Sequence, residues 1–386
     1  MEQNNTTPDD LASSETIVDE PAAPGARQFP CKNCGGPLLF RPDSTLLKCP
    51  YCGTENDIPL DAADEDHLRE NDFLAELEKK ASESTADTPE TEAARCTSCG
   101  ATTTVTSEKT ADRCPYCDNP LTIQNHASSK LKVQAILPFV IDEDQAKVNY
   151  RKWLSTRWFA PSDFSRRATR EEALKGIYMP FWTYDANTQT WYTGQRGDAY
   201  YVTVQVTVTR DNKTVTEPRQ ERRIRWSSAA GNVKVPFDDI LIPASHSLPS
   251  GMQDSLQPWQ LQNIKPFRQE FLAGFVAETY QVPLKDGFEE AQRRMQPAID
   301  QAIKRDIGGD EQRINSKTSR YSQVTFKHIL LPVWISAYRY QDKTYRFMIN
   351  AQTGEATGDR PWSYWKIAGA VLVGAAILGA IVHFLQ

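Results

Sequence analysis

Eight cysteines occur in this chain, and every one belongs to a Cys-x2-Cys pair. Cys31 and Cys34 are followed, after fourteen intervening residues, by Cys49 and Cys52. Cys96 and Cys99 are followed, again after fourteen, by Cys114 and Cys117. The second quartet repeats the first at an offset of 65. Two thiolates on one tight turn point the same way, and two such knuckles complete the tetrahedral donor set of Zn²⁺. Each quartet therefore predicts a zinc ribbon, with two structural Zn²⁺ per chain. Gly35, Gly53 and Gly100 follow a second cysteine, where a knuckle turns through positive φ, and Asp118 stands there in the last one. Both quartets end in Cys-Pro-Tyr-Cys. A thioredoxin-type redox centre uses one such pair within a βαβ pattern, which two matched quartets do not resemble. The N-terminal MEQNNTTPDD has neither a basic nor an apolar region of a secretory signal, so a cytosolic, thiol-reducing surrounding is expected.

Other chemistry is thinly represented. No glycine precedes a lysine, so a Walker A phosphate loop is absent. The run Leu137–Ile141 followed by Asp142-Glu143-Asp144-Gln145 imitates a Walker B strand with a helicase box, yet Asp142 and Gln145 also stand at capping-box spacing. His67, His126, His246, His328 and His383 are scattered without metal-ligand spacing. Asp238-Asp239 and the turn from Asp306 to Asp310 are candidate carboxylate sites for a cation or acid–base work, or else caps and solvated ends. Arg151-Lys152-Trp153 with Arg157-Trp158, and the stretch Arg219 to Trp226, join basic and aromatic residues. Such clusters suit anionic lipid or nucleic acid as well as an ordinary surface strand. With no nucleotide-binding or hydrolase motif, a non-enzymatic role is expected.

The elements that must position these residues divide unevenly. The chain has 386 residues and 39% apolar composition, which excludes a multi-pass membrane protein. Residues 1–126 carry a net charge of −14 and residues 127–386 one of +8, which disfavours a uniformly basic nucleic-acid binder. We expect an acidic disordered tail at 1–28, a first ribbon at 29–60 and an acidic linker at 61–93. A second ribbon at 94–125, an α+β body at 126–361 and a membrane anchor at 362–386 follow. Within the linker, Leu68, Phe73, Leu74 and Leu77 approach helical spacing. In the body, strands are predicted at 130–141, 177–184, 200–209, 215–226, 329–340 and 344–350, and helices at 143–157 and 287–305. The last pair of strands reads as a hairpin turning at 341–343.

Residues 367–385 carry no Asp, Glu, Lys or Arg. As a helix they span about 28 Å, the thickness of a hydrocarbon core. Trp362, Tyr364 and Trp365 form an aromatic belt, and Arg360 and Lys366 flank it. The reading is a tail-anchored, single-pass protein of a cell inner membrane, its ribbons and body kept cytoplasmic by the positive-inside rule. Ala370/Gly374, Ala375/Gly379 and Ala376/Ala380 repeat at four-residue spacing, which would let two such helices pair as a homodimer.

Four segments resemble a known family: 176–186 (GIYMPFWTYDA), 237–245 (FDDILIPAS), 306–310 (DIGGD) and 325–334 (TFKHILLPVW). They are similar to bacterial zinc-ribbon proteins with a C-terminal membrane anchor. Members are often labelled primosomal protein N′ (replication factor Y) or superfamily II helicase. One relative resembles a membrane partner of phage-shock-protein-A-type proteins in envelope stress. The resemblance implies a scaffold that recruits cytosolic or membrane-associated proteins to the bilayer. It carries over no catalytic residue. A membrane-tethered nucleic-acid-binding factor linked to replication is the alternative.

Overall fold

The computed structural model describes residues 29–59, 68–82, 93–96, 102–104, 114, 116, 122–124, 131–161, 174–210, 213–340 and 343–385. The expected tail, about half of the acidic linker and much of the second ribbon lie outside them. Strands β1 (Leu39–Phe40), β2 (Leu46–Lys48) and β3 (Glu55–Asp57) form a small antiparallel sheet. Strand β4 (Asn71–Asp72) leads directly into helix α1 (Phe73–Ser82). A second small sheet sets β5 (Ala93–Arg95) between β6 (Thr102–Thr104) and β7 (Thr122–Gln124). The body then follows: β8 (Ala135–Ile136), α2 (Glu143–Ser155), β9 (Lys175–Arg210) and β10 (Lys213–Pro243). Next come α3 (Ser250–Asp254), β11 (Lys265–Pro266), β12 (Val276–Ala277) and α4 (Leu284–Ile307). β13 (Glu311–Tyr340), β14 (Lys343–Asn350), β15 (Ala356–Gly358) and α5 (Tyr364–Leu385) complete the chain. The mixed α and β content matches the expected class.

Three long antiparallel strands dominate, in the sheet order β10-β9-β13-β14-β15. The polar stretch 185–199 reads as a break between two short strands, yet β9 runs straight through it. The reason is pairing on both sides: β10 faces it from Phe237 to Ile224, and β13 from Thr325 to Glu311. Cross-strand hydroxyl bonds suit this polar stretch to a sheet, with Thr190 to Ser319 and Thr193 to Ser316 each at 2.7 Å. The expected strand 130–141 shrinks to the two residues of β8, which pair with β11 and β13. Pro138 has no N–H to give a ladder, and the following residues instead bond Ala351 and end in the α2 cap.

Alternation along β9 assigns its faces. Trp182, Tyr184, Ala186 and Tyr192 share a buried cluster with α4, while Ile177, Met179 and Phe181 join another on the opposite side. Helix α4 buries Leu284, Phe288, Ala291, Met295, Ile299, Ile303 and Ile307 at three- and four-residue steps. It can sit this close because position 287 is glycine: a Cβ there would stand 2.5 Å from the Tyr184 hydroxyl. At the other end Asp306 accepts from the Tyr192 hydroxyl at 2.6 Å. The nineteen helical steps between these contacts cover about 28 Å and the eight strand steps about 26 Å, so helix and strand run alongside. Pro297 lies on the exposed side of α4, away from the core stripe.

Beyond Gly197, β9 and β10 leave β13 and continue to Arg210 and Lys213 as a two-stranded arm. Helix α5 has the opposite character. Its 21-residue apolar run, Tyr364–Phe384, has none of its most apolar window buried in the protein.

Candidate metal centre

The first cysteine quartet is built from two matching turns. Gly35 donates to the Cys31 carbonyl at 2.9 Å and Gly53 to the Cys49 carbonyl at 3.0 Å. The glycines take φ of 74° and 72°, a region where other side chains are strained. The loop ends are closed by Cys31 N–H to Gly36 O and Cys49 N–H to Thr54 O. The sulfurs of Cys31, Cys34, Cys49 and Cys52 lie within 4.8 Å of one another, with Cys31–Cys52 at 3.6 Å and Cys34–Cys49 at 3.5 Å. Four thiolates about 2.3 Å from one tetrahedral Zn²⁺ stand about 3.8 Å apart, so this donor set fits the ion. Disulfide sulfurs would sit at about 2.05 Å, and these cysteines are free. The Thr54 hydroxyl and N–H pull the Cys52 thiol down to about 5. The Gly36 N–H also pulls on Cys34, but its Cys52 and Cys49 neighbours push it up to about 12.

This four-cysteine unit is not a detached bead. Cys31, Leu38, Phe40, Leu47, Cys49 and Ile58 are buried in one cluster with Phe139, Phe271, Phe275 and Trp334 of the body. The ring of Phe40 meets Phe271 edge-on at 5.3 Å and Phe275 at 6.3 Å, and its N–H donates to Ala273 O.

Of the second quartet the described residues include Cys96 and Cys114, both buried; Cys99 and Cys117 lie outside them. The repeat is packed unlike its counterpart. Tyr116, inside the second Cys-Pro-Tyr-Cys, is fully buried, whereas Tyr51 at the same place in the first is 65% exposed. The Tyr116 hydroxyl donates to buried Glu278 at 2.5 Å, and its carbonyl accepts from Arg346 Nε at 3.1 Å. Ser245, Ser247 and Gln281 also donate to Glu278, which satisfies a carboxylate that burial would otherwise penalise.

The carboxylate candidates separate. Asp306 is the Tyr192 partner, and Asp310 accepts from the Ala199 N–H at 2.7 Å to close the turn into β13. Asp238 and Asp239 occupy a bulge of β10 opposite Asp185, and Asp238 lies with Asp185 and Glu70 in a group whose oxygens all fall within 4.8 Å. Lys327 Nζ reaches Glu70 at 2.9 Å and Asp239 at 3.5 Å, and the Thr325 hydroxyl donates to Glu70. Burial and the adjoining Glu70 push Asp185 up to about 7. Burial works against Glu70 as well, but bonds from Asp185, Thr325 and Lys327 hold it down at about 2. Glu70, Asp185 and Lys327 escaped the sequence reading because pairing of β4 with β13 alone brings Glu70 here from 115 residues away. No spacing rule marks them.

The remaining motifs resolve into packing. Asp142 caps α2, its carboxylate accepting from the Gln145 N–H at 2.8 Å, and no strand forms at Leu137–Ile141. His328 is buried against Trp182 at 4.7 Å, and burial lowers its pKa to about 4, so the ring is neutral. His246 is exposed, while His67 and His126 lie outside the described residues.

Comparison with known proteins returns little. No family model matches the chain, and no solved structure matches it. The chain is similar to the Uncharacterized protein YdjG of Bacillus subtilis (strain 168), with 26% identity over 247 residues, or 64% of this chain and 69% of that protein.

Proposed function

We propose that the protein is a membrane-anchored zinc-ribbon scaffold, set in a cell inner membrane by α5, that recruits cytosolic proteins to the bilayer. The observation that carries this reading is the arm. From Lys175 to Arg210, β9 extends over roughly 115 Å of strand, and its last third is held by β10 alone. A two-stranded hairpin is marginally stable in water, so a long one with half-buried Val202, Val204 and Val206 on one face suits completion by a protein partner. Helix α5 belongs to the other end of the body: the chain just before it meets the loop after α2, α2 packs on β14, and β14 pairs with β13 beside the start of β9. Both cysteine quartets hold structural zinc in this reading, and a phage-shock-protein-A-type protein is the first partner to try.

The replication-linked alternative needs a basic, phosphate-facing surface. Two arginines of the arm are instead matched by carboxylates, Arg222 with Glu311 at 2.9 Å and Arg223 with Glu221 at 3.0 Å, and Arg225 lies over the Tyr200 ring at 5.3 Å. The test is affinity purification of the full chain from detergent-solubilised membranes, with and without nuclease. A second chain has residues 200–223 replaced by a tight Asn-Gly turn, which closes on the Ala199–Ile224 pair. Partner recovery that resists nuclease and disappears with the arm is the expected result. Recovery lost on nuclease treatment would replace the scaffold by the nucleic-acid reading.

A further inference from the structure

The loop that follows α2 meets the start of α5. The Ser363 N–H donates to Phe159 O at 2.8 Å, and Lys366 Nζ donates to Ala160 O at 2.7 Å. Between these anchoring bonds and α2, two large apolar side chains face outward, Trp158 at 80% exposure and Phe159 at 37%. They stand beside a second outward set, Trp362, Tyr364 and Trp365, the last 90% exposed. Five exposed aromatic residues on two adjoining segments are costly in water. They match the amphipathic belt that sits at the headgroup level of a bilayer.

Two guanidinium groups stand beside them. Arg157 lies over the Trp153 ring at 4.6 Å and Arg360 over the Trp362 ring at 4.1 Å. Burial and the neighbouring Arg360 charge both pull the Arg157 pKa down, so the two guanidinium groups are close enough to repel. The Nε of Arg157 is buried without a hydrogen-bond partner. An anion placed between the two groups would relieve their repulsion, and a phosphate accepts guanidinium donors in a forked geometry.

We infer that the loop 156–161 and the start of α5 form one interfacial platform, with Trp158 and Phe159 inserted at headgroup depth and Arg157 and Arg360 holding the phosphate of an anionic phospholipid. The inference rests on α5 crossing the membrane. It adds a second contact that fixes the body against the bilayer instead of leaving it to swing on a single helix. Trp153 and Leu154, buried in the body cluster, make the loop rigid enough to transmit that orientation.

Hydrogen exchange on the full chain in nanodiscs tests this. One set of discs holds phosphatidylcholine alone and the other adds phosphatidylglycerol. Amides of 156–160 should exchange about tenfold more slowly with phosphatidylglycerol present, given the usual gain per basic residue at an anionic surface. Trp158→Ser and the pair Arg157→Gln with Arg360→Gln should each abolish that difference, and Trp158→Phe should keep it. Equal exchange in the two lipids, with 364–385 protected in both, overturns the platform while leaving the anchor in place. Loss of protection in 364–385 itself overturns the anchor and the platform together.

Discussion

Replacing Phe40 by alanine asks whether the first cysteine unit is a tethered module or a part of the body. Phe40 is 4% exposed and sits between two body rings, Phe271 and Phe275. Phe275 in turn stacks on Phe139 at 4.0 Å and touches Trp334 at 5.9 Å. Truncating a buried phenylalanine costs about 3–5 kcal/mol, through lost transfer energy and the cavity left behind. For a folded unit of this size each kcal/mol moves the melting midpoint by about 2–4 °C, so a fall of roughly 6–20 °C is expected. The assay is a thermal melt of the full chain in detergent, followed by tryptophan emission, with zinc release read in parallel by a chromogenic chelator. Trp334 reports directly because it borders the same cluster. A midpoint unchanged within a degree or so, whatever happens to zinc, would refute the shared core and make the unit an independent bead.

Three further outcomes are expected. Elemental analysis should give two zinc ions per wild-type chain and one for Cys34→Ser; near-zero zinc in reduced wild-type protein would remove the metal centre. Cys34→Ser should also lower the melting midpoint of the body, because Cys31 and Cys49 of the same quartet lie in its cluster. Asp185 has its folded pKa raised to about 7, so its contribution to stability is complete below the ordinary carboxylate value and is lost as pH rises through about 7. Glu70, held at about 2, loses its contribution only as pH falls towards that value, and does not oppose the trend in this window. His328, lowered to about 4 by burial, adds stability as pH rises towards its ordinary value and opposes this trend, so Asp185 is read by difference. The stability of wild type relative to Asp185→Asn in urea melts should fall from about pH 5 to pH 7, and a difference that does not change with pH would contradict the cluster. Leu378→Lys puts a charge near the middle of α5 at a cost of about 2.5–3.5 kcal/mol, and should shift the chain out of the alkali-resistant membrane fraction. Undiminished membrane retention of that variant would count against insertion.

The sequence alone determined what depends on local spacing. The Cys-x2-Cys turns with Gly35 and Gly53 at positive φ, the Asp142 cap and the continuous apolar run of α5 each need only near neighbours, so their chemistry is written in adjacent residues. The core helix was legible for the same reason, its apolar residues recurring at three- and four-residue steps. Tertiary structure decided whatever depends on pairing at long range. The polar stretch 185–199 is strand because two partners flank it, and 130–141 is mostly not strand because Pro138 and the α2 cap claim its backbone. Two cysteine units with the same knuckle sequence receive different surroundings, Tyr51 open and Tyr116 buried on Glu278, through contacts more than a hundred residues away. The gathering of Glu70, Asp185, Asp238 and Lys327 follows from the strand register of β4 and β10, since each residue is ordinary until the sheet sets them side by side.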